Sequence, residues 1–423
     1  MRAQEVFTPG SFPTHTYVIR SELGLEARLR DGLDTPGQLI SIAGPSKSGK
    51  TVFVEKVVGS DALITVTGAG INAADQLWER VLDWMSVPRT ATTTSGRSRS
   101  LSASVEAGGE VALPLVARGK ASADGRVEAG SEEGTGEQHG RRGMQQVIEE
   151  IADSDFVVLI DDFHYMPRDV QQDVAKQLKE AVRQGVRIIT AAVSHRSDDV
   201  VRANPELRGR VLSIDFAYWE SAHLKEIAEF GFFLLNVKMN DAALDFIVDE
   251  ASGSPQLVQA ICLNACYEAG VRTKLDAPAP LELPPDLLRA IFERTSTMTD
   301  FRSLVDALDT GPATRGTERK MYAFTDGTQG DVYRAVLKAM ALDPPRLSFS
   351  YEELSDRLAD LCRTGAPVGS SVISSCQQMS KLAEKNFPLE RPIDWDEERG
   401  GVLDLSDPYL LFYLRWSSRL IEQ

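Results

Sequence analysis

Long apolar runs, cysteine, histidine and positive charge are what this 423-residue chain has least of. No stretch approaches the roughly 18–20 consecutive apolar residues of a membrane-spanning helix, and the amino terminus lacks a basic-then-apolar signal pattern; the cytoplasm is the expected compartment. There are four cysteines and five histidines. Cys262 and Cys266 stand four apart in a helical pattern, while Cys362 and Cys376 stand alone. Without a CxxC or a Cys/His cluster no zinc site is expected, and the thiols read as small buried hydrophobes. Lys and Arg number 46 against 62 Asp and Glu, a net charge of −16. That shortage disfavours a surface given over to nucleic acid, because phosphate binding draws on clustered Lys and Arg; it leaves room for a local basic patch. What the chain does have is 42% hydrophobic and 26% charged residues, enough for sizeable cores and, at this length, two or three domains.

The lead-in, 1–37, carries one helical spacing through Leu23, Leu25, Leu29 and Leu33. Apolar runs then recur at 39–43, 62–66, 156–160, 187–193 and 211–216, separated by helical patterns. Runs of this kind suit strands buried on both faces of a parallel sheet, so 38–217 reads as a βα-repeat core. Within it, residues 88–142 contain no Phe, Trp or Tyr and are rich in Ser, Gly, Ala and Thr. That composition marks an insertion, either a surface loop or, from the alternation across 104–128, a glycine-rich β-hairpin. A helical segment follows at 218–290, broken at Gly253-Ser254-Pro255, with a further helix starting at Pro284-Pro285. Residues 291–330 read as a looser polar connector. In 331–423, three helical stretches (331–341, 351–361, 368–385) precede two strand-like pieces (391–395, 401–405), the order of a winged helix.

Gly44-Pro45-Ser46-Lys47-Ser48-Gly49-Lys50-Thr51 fits GxxxxGK[ST] between a strand and a helix, the context that motif requires. Backbone N–H groups and the positive end of the following helix can wrap phosphates there. Lys50 is expected to bridge the β- and γ-phosphates and the Thr51 hydroxyl to ligate Mg²⁺, with ATP as the expected nucleotide and another triphosphate left open. The apolar run ending in Asp161-Asp162 supplies the companion carboxylates. Asp161 is placed for the magnesium shell and Asp162 to orient or deprotonate the attacking water. Because Asp is one methylene shorter than Glu, slow turnover is expected.

With both motifs present, the chain resembles the AAA+/STAND group of P-loop ATPases over about 16–272. The resemblance implies an α/β fold: a P-loop parallel-sheet core with a helical lid, followed by an α+β winged-helix domain. Tyr17, Val18 and Arg20, in an aromatic–Val–x–Arg–x–Glu element, are similar to the adenine-side element of these families. Ser194 or His195, just beyond the strand holding Thr190, would fill the γ-phosphate sensor position, the alternative being plain strand-end polar residues. Arg210, or else Arg208, would be the arginine finger offered to a neighbouring subunit, the alternative being two surface residues. Pro255 belongs to a GxP element that opens a lid helix in STAND proteins. Gln256 comes next and 257–267 contain no arginine, which resembles STAND or origin-recognition proteins more than processive unfoldases.

The resemblance implies a homo-oligomer and, since no effector motif is visible, a separate partner protein. The leading expectation is an ATP-driven assembly switch, with a prokaryotic defence or stress role suggested by analogy alone. Two others stand beside it. One is a DNA-binding loader or transposition helper using the winged helix. In the other, an insertion hairpin completes a ring, pore or membrane contact. The third winged helix offers Ser370, Ser371, Ser374, Gln377, Gln378 and Lys381, while the wing tip carries Asp394, Asp396, Glu397, Glu398 and Arg399. Acids there repel a phosphate backbone, which places protein or interdomain contact ahead of DNA. The apolar stripe through 409–416 reads as core.

Overall fold

The computed structural model of the protein describes residues 1–87, 90–93, 137–140, 142–193, 199–313, 318–388, 391–397 and 400–420. They form two compact units, one of Gly24–Ala43 with Phe53–Asp215, the other of Met1–Leu23, Gly44–Val52 and Phe216–Gln423.

The chain opens with the short helix α1 (Ala3–Val6) of the larger unit, then enters the sheet unit through α2 (Leu25–Asp34). There follow β1 (Leu39–Ala43), α3 (Lys50–Val58), β2 (Leu63–Thr67) and α4 (Ala74–Trp84). Two four-residue strands, β3 (Thr90–Thr93) and β4 (Glu137–Gly140), pair antiparallel with Thr90 opposite Gly140 and Thr93 opposite Glu137. The ends of the insertion are thus joined as a ladder; the alternating stretch 104–128 lies outside the described residues. The unit continues with α5 (Met144–Ile151), β5 (Val157–Asp161), α6 (Arg168–Arg183), β6 (Arg187–Ala192), α7 (Asp199–Ala203) and β7 (Val211–Asp215).

Five of these strands make one sheet in the order β2-β5-β6-β1-β7, every pairing parallel. Parallel pairing requires crossover helices, and those helices bury the strands on both faces, which is why β1, β5 and β6 read as largely apolar runs, with Ser41 and Thr190 as buried polar exceptions. Helix α6 shows the complementary pattern: Val170, Val174, Leu178 and Ala181 recur at near-helical spacing and are buried. Trp78 of α4 is fully buried and its indole N–H donates to the Gln177 side chain, so the largest side chain of this core keeps its polar edge satisfied.

The larger unit continues with α8 (Ser221–Leu234), β8 (Val237–Lys238), α9 (Asp241–Glu250) and α10 (Pro255–Glu268). Asn240 and Ser254 cap α9 and α10, accepting from Ala243 N–H and Leu257 N–H, and Pro255 occupies the first turn where its missing N–H costs nothing. Phe7, just after α1, is fully buried edge-on against Phe232 of α8, 5.1 Å between ring centres. A buried polar chain ties the same segment to α10: the Thr16 hydroxyl donates to Val6 O, and Gln259 donates to Thr16 Oγ1 and accepts from Thr8 N–H. Cys262 and Cys266 lie in this core, and burial pushes the Cys266 thiol up to about 12. Cys362 and Cys376 are buried too, so all four act as packing groups.

After β9 (Ala279–Pro280) come α11 (Pro285–Ser296), α12 (Arg302–Thr310), β10 (Tyr322–Ala323) and β11 (Gln329–Gly330). The stretch read as a loose connector therefore holds a helix, whose Leu304, Val305 and Leu308 are buried on one side, and a two-residue antiparallel ladder. The final elements are α13 (Val332–Met340), β12 (Ser348–Ser350), α14 (Tyr351–Leu361), α15 (Ser370–Asn386), β13 (Ile393–Asp396), β14 (Val402–Leu405) and α16 (Pro408–Trp416). Strands β12, β14 and β13 form a three-stranded antiparallel sheet, which completes a winged helix. Helix α16 is buried from Pro408 through Leu414, in agreement with its reading as core.

The turn between β10 and β11 provides a pH test. Burial raises the Asp326 carboxyl, but hydrogen bonds from Lys338 and Thr328 outweigh it and bring the group down to about 2. A folded pKa below the unfolded one adds stability above about pH 4 that disappears as pH falls through about 2. Asp326→Asn is expected to lower the urea midpoint modestly at pH 6, since the carboxylate is 43% exposed and partly screened. The gap from wild type should close toward pH 2.5; a gap unchanged across that window would show that the carboxylate charge contributes nothing.

Candidate phosphate-binding site

Strand β1 runs directly into Gly44, and α3 begins at Lys50, so the sequence motif forms the turn between a central parallel strand and a helix amino terminus. In open α/β sheets such a position, at the carboxyl end of a strand where the strand order reverses, is the usual place for a ligand. Here β1 lies between β6 and β7, with the chain leaving it toward β2 at one edge and returning to β7 at the other.

The loop closes on itself. Gly44 fits where no side chain can, since a Cβ would sit 2.4 Å from Phe216 Cβ. Gly49 has φ +89°, a conformation that glycine adopts without strain, and Lys47 has φ +61°. The Lys50 ammonium donates to Gly44 O at 2.9 Å and Pro45 O at 2.8 Å, which holds its charge over the loop. The buried Ser48 hydroxyl donates to Pro45 O at 2.8 Å. Thr51 follows Lys50 in the first turn of α3 and is half-buried, as is Ser46. An anion would meet backbone N–H groups, a helix amino end and an ammonium together, a combination that suits phosphate.

Two groups from the far part of the same unit meet this loop. Trp219 Nε1 donates to Ser48 O at 2.9 Å, and the Ser254 hydroxyl donates to Lys47 O at 3.3 Å. Pro255 lies 3.8 Å from the position of a Cβ on Gly49. Of the adenine-side element, Tyr17 stacks on Phe12 with ring centres 6.0 Å apart, and Val18 packs on the core. Arg20 is buried, its guanidinium 4.3 Å from the Trp219 ring centre and 5.0 Å from that of Phe216. Arg20 therefore supports Trp219, a role that its motif did not suggest.

The other expected site residues belong to the sheet unit. Asp161 ends β5, half-buried, and its carboxylate accepts the backbone N–H of Asp162 at 2.9 Å. Asp162 has φ +55°, left-handed for a non-glycine residue. Thr190 is buried in β6, its hydroxyl donating to Ile40 O. Arg208 and Arg210 are exposed just before β7, and Arg210 O accepts from Leu39 N–H at 2.9 Å. Ser194 and His195 lie outside the described residues.

No protein-family model matches the chain, and no curated protein matches it. Among solved structures it is similar to the Walker-type ATPase of Pyrococcus abyssi, at 13% identity over 94% of this chain and 96% of that one, with a TM-score of 0.52. The chain has the fold of a Walker-type ATPase. The ORC2 protein of Aeropyrum pernix is also similar, at 14% identity over 99% of this chain and 98% of that one, TM-score 0.47. So is Cdc6p from Pyrobaculum aerophilum, at 12% identity over 99% and 98%, TM-score 0.42. Within the Walker-type fold, Trp219 and Ser254 are the site neighbours that the sequence did not single out. They lie 171 and 207 residues from their partners, beyond any local pattern.

Proposed function

We propose that the chain is an ATP-dependent molecular switch of the AAA+/STAND type, in which nucleotide state governs self-assembly and engagement of a separate partner protein. The observation that carries this reading is the Gly44 to Thr51 loop, closed by Lys50 and bonded on its outer side by residues of the helical segment that follows the sheet. A phosphate-bearing ligand in that loop would be coupled, through these two hydrogen bonds, to the piece of chain whose position a switch must change.

Gly44, Pro45, Ser46, Lys47, Ser48, Gly49, Lys50 and Thr51 would hold the nucleotide phosphates. The Thr51 hydroxyl and the Asp161 carboxylate would hold Mg²⁺, which when bound neutralises charge on the transferred phosphoryl group. Lys50 stabilises charge that develops on the phosphoryl oxygens. Asp162 orients the attacking water and takes its proton, with the short side chain favouring slow turnover. Arg210, or Arg208, reaches a neighbouring copy's nucleotide; the exposure of both supports such a role. Phe230 and Phe233 are one turn apart on α8 and 51% and 73% exposed, which supports a contact surface in assembly.

The winged helix supports protein contact over DNA reading. Gln377 of α15 donates to the Glu397 carboxylate at 2.6 Å, and Ser380 donates to Asp394 at 3.0 Å. Polar groups on the helix that would enter a groove are thus bonded to acids of the wing, and those acids repel phosphate.

Light scattering tests the reading. Wild type should at least double in mass on going from ADP to ATP with Mg²⁺, and Asp162→Asn should stay in the larger state because bound ATP is not consumed. Identical masses in ATP, ADP and no nucleotide for both proteins would remove the assembly switch.

A further inference from the structure

A phosphate-binding loop works by turning consecutive N–H groups inward, and in planar trans peptides that turns the carbonyls outward, where they need donors of their own. In this loop the carbonyls of Gly44 and Pro45 are met by the Lys50 ammonium. Those of Lys47 and Ser48 are met by Ser254 and Trp219. The Lys47 carbonyl shares its peptide plane with Ser48 N–H, and the Ser48 carbonyl with Gly49 N–H. Each bond from outside therefore aims one inward donor.

The two outer donors are themselves connected. The Trp219 backbone N–H donates to Gly253 O at 3.1 Å, next to Ser254. Its indole lies under the buried Arg20 guanidinium, and His223 approaches it edge-on at 6.5 Å between ring centres. His223 Nε2 in turn lies 3.0 Å from Glu22 Oε1. A side chain held from several directions loses little further freedom when it makes one more hydrogen bond.

We infer that Trp219 is a positioning residue for the phosphate site: its indole N–H, assisted by the Ser254 hydroxyl, presets the Ser48 and Gly49 amides to receive a nucleoside di- or triphosphate. The inference rests on the nucleotide-binding reading above. Because both donors flank α8 and α10, a shift of those helices releases the Lys47 and Ser48 carbonyls and loosens the loop. Phosphate affinity and the placement of the helical segment are two readings of one contact.

The test is Trp219→Phe, which keeps a ring beneath Arg20 and removes the N–H. Ser254→Gly serves as the second variant, since glycine is tolerated at a helix N-cap. Binding of a fluorescent ADP analogue, with competition by ADP and by AMP, is measured in both variants, in wild type and in Lys50→Ala. The expected result is a roughly 3- to 10-fold weaker ADP affinity in Trp219→Phe, the scale of one hydrogen bond. AMP affinity should be unchanged, so the ADP-to-AMP selectivity falls. A structural defect would lower both affinities together and leave their ratio intact, which overturns the inference. If Lys50→Ala loses binding while Trp219→Phe and Ser254→Gly keep wild-type selectivity, the positioning role fails and the site assignment survives. If Lys50→Ala also binds as wild type does, the site assignment fails and the inference with it.

Discussion

Lys50→Ala is expected to weaken ATP and ADP binding by roughly 30- to 1,000-fold, as removing a charged partner from a hydrogen-bonded site costs about 2–4 kcal/mol. The ammonium is not a freely rotating charge: Gly44 O and Pro45 O fix it over the loop before any ligand arrives, so binding does not have to order a long side chain. In its absence Pro45 O still accepts from the Ser48 hydroxyl. Lys50 is half-buried, so water can reach the vacated acceptors and the folded state should change little. Isothermal titration together with thermal denaturation of the nucleotide-free protein separates the two effects. Lys50→Arg should not restore affinity. A planar guanidinium cannot take the place of a compact ammonium between two carbonyls. Wild-type affinity in Lys50→Ala would show that nucleotide, if bound, is held elsewhere.

How much of this was legible before the structure depended on how local each signal was. The parallel strands were, because burial writes itself into the chain as a short, largely apolar run: 39–43 is β1 without a residue of difference, and 62–66 is β2 displaced by one. The winged helix was legible from three helical patterns and a turn at its tip. Strand β12 was not, being three residues long between a Pro-Pro pair and a helix. Helix α1 carries too few residues to show a period, and its neighbour Phe7 gains meaning only from Phe232, far along the chain. The phosphate loop was legible because its chemistry is contiguous. Its outer support was not: Arg20 sat in a recognisable element, but the partner that explains it, Trp219, is almost two hundred residues later. Residues that act through one long-range contact leave no period and no motif.

The same reasoning applies to the largest stability effect expected, that of Glu250→Ala. Glu250 ends α9 and is 1% exposed. Its carboxylate accepts from Arg415 Nε at 2.9 Å, from an Arg415 terminal nitrogen at 2.6 Å and from Trp416 Nε1 at 2.6 Å. Arg415 also donates to Ala341 O at 2.7 Å and to the exposed Asp343 carboxylate at 2.6 Å, so each of the three guanidinium nitrogens donates. Burial lowers the Arg415 pKa, but the Glu250 and Asp343 partners outweigh it and the net direction is upward. Glu250→Ala leaves this guanidinium buried with only an exposed carboxylate as counter-charge, and an indole N–H without its acceptor. Breaking one side of a buried pair typically costs about 3–5 kcal/mol, a large share of any unit's stability. Glu250→Gln should cost less, because an amide oxygen still accepts from Trp416. Replacing both ends, Glu250→Leu with Arg415→Met, should recover most of the loss, since a well-packed apolar pair avoids the desolvation that the ions carry. Urea unfolding of wild type, Glu250→Ala, Glu250→Gln, Glu250→Leu, Arg415→Met and the double variant decides the matter: a double variant no better than the sum of Glu250→Leu and Arg415→Met would mean that the pair is not coupled. Because α9 belongs to the helical segment and α16 to the winged helix, the same loss should let those two parts of the larger unit move separately. A protease site opening between them in Glu250→Ala, and closing again in the double variant, is the expected sign.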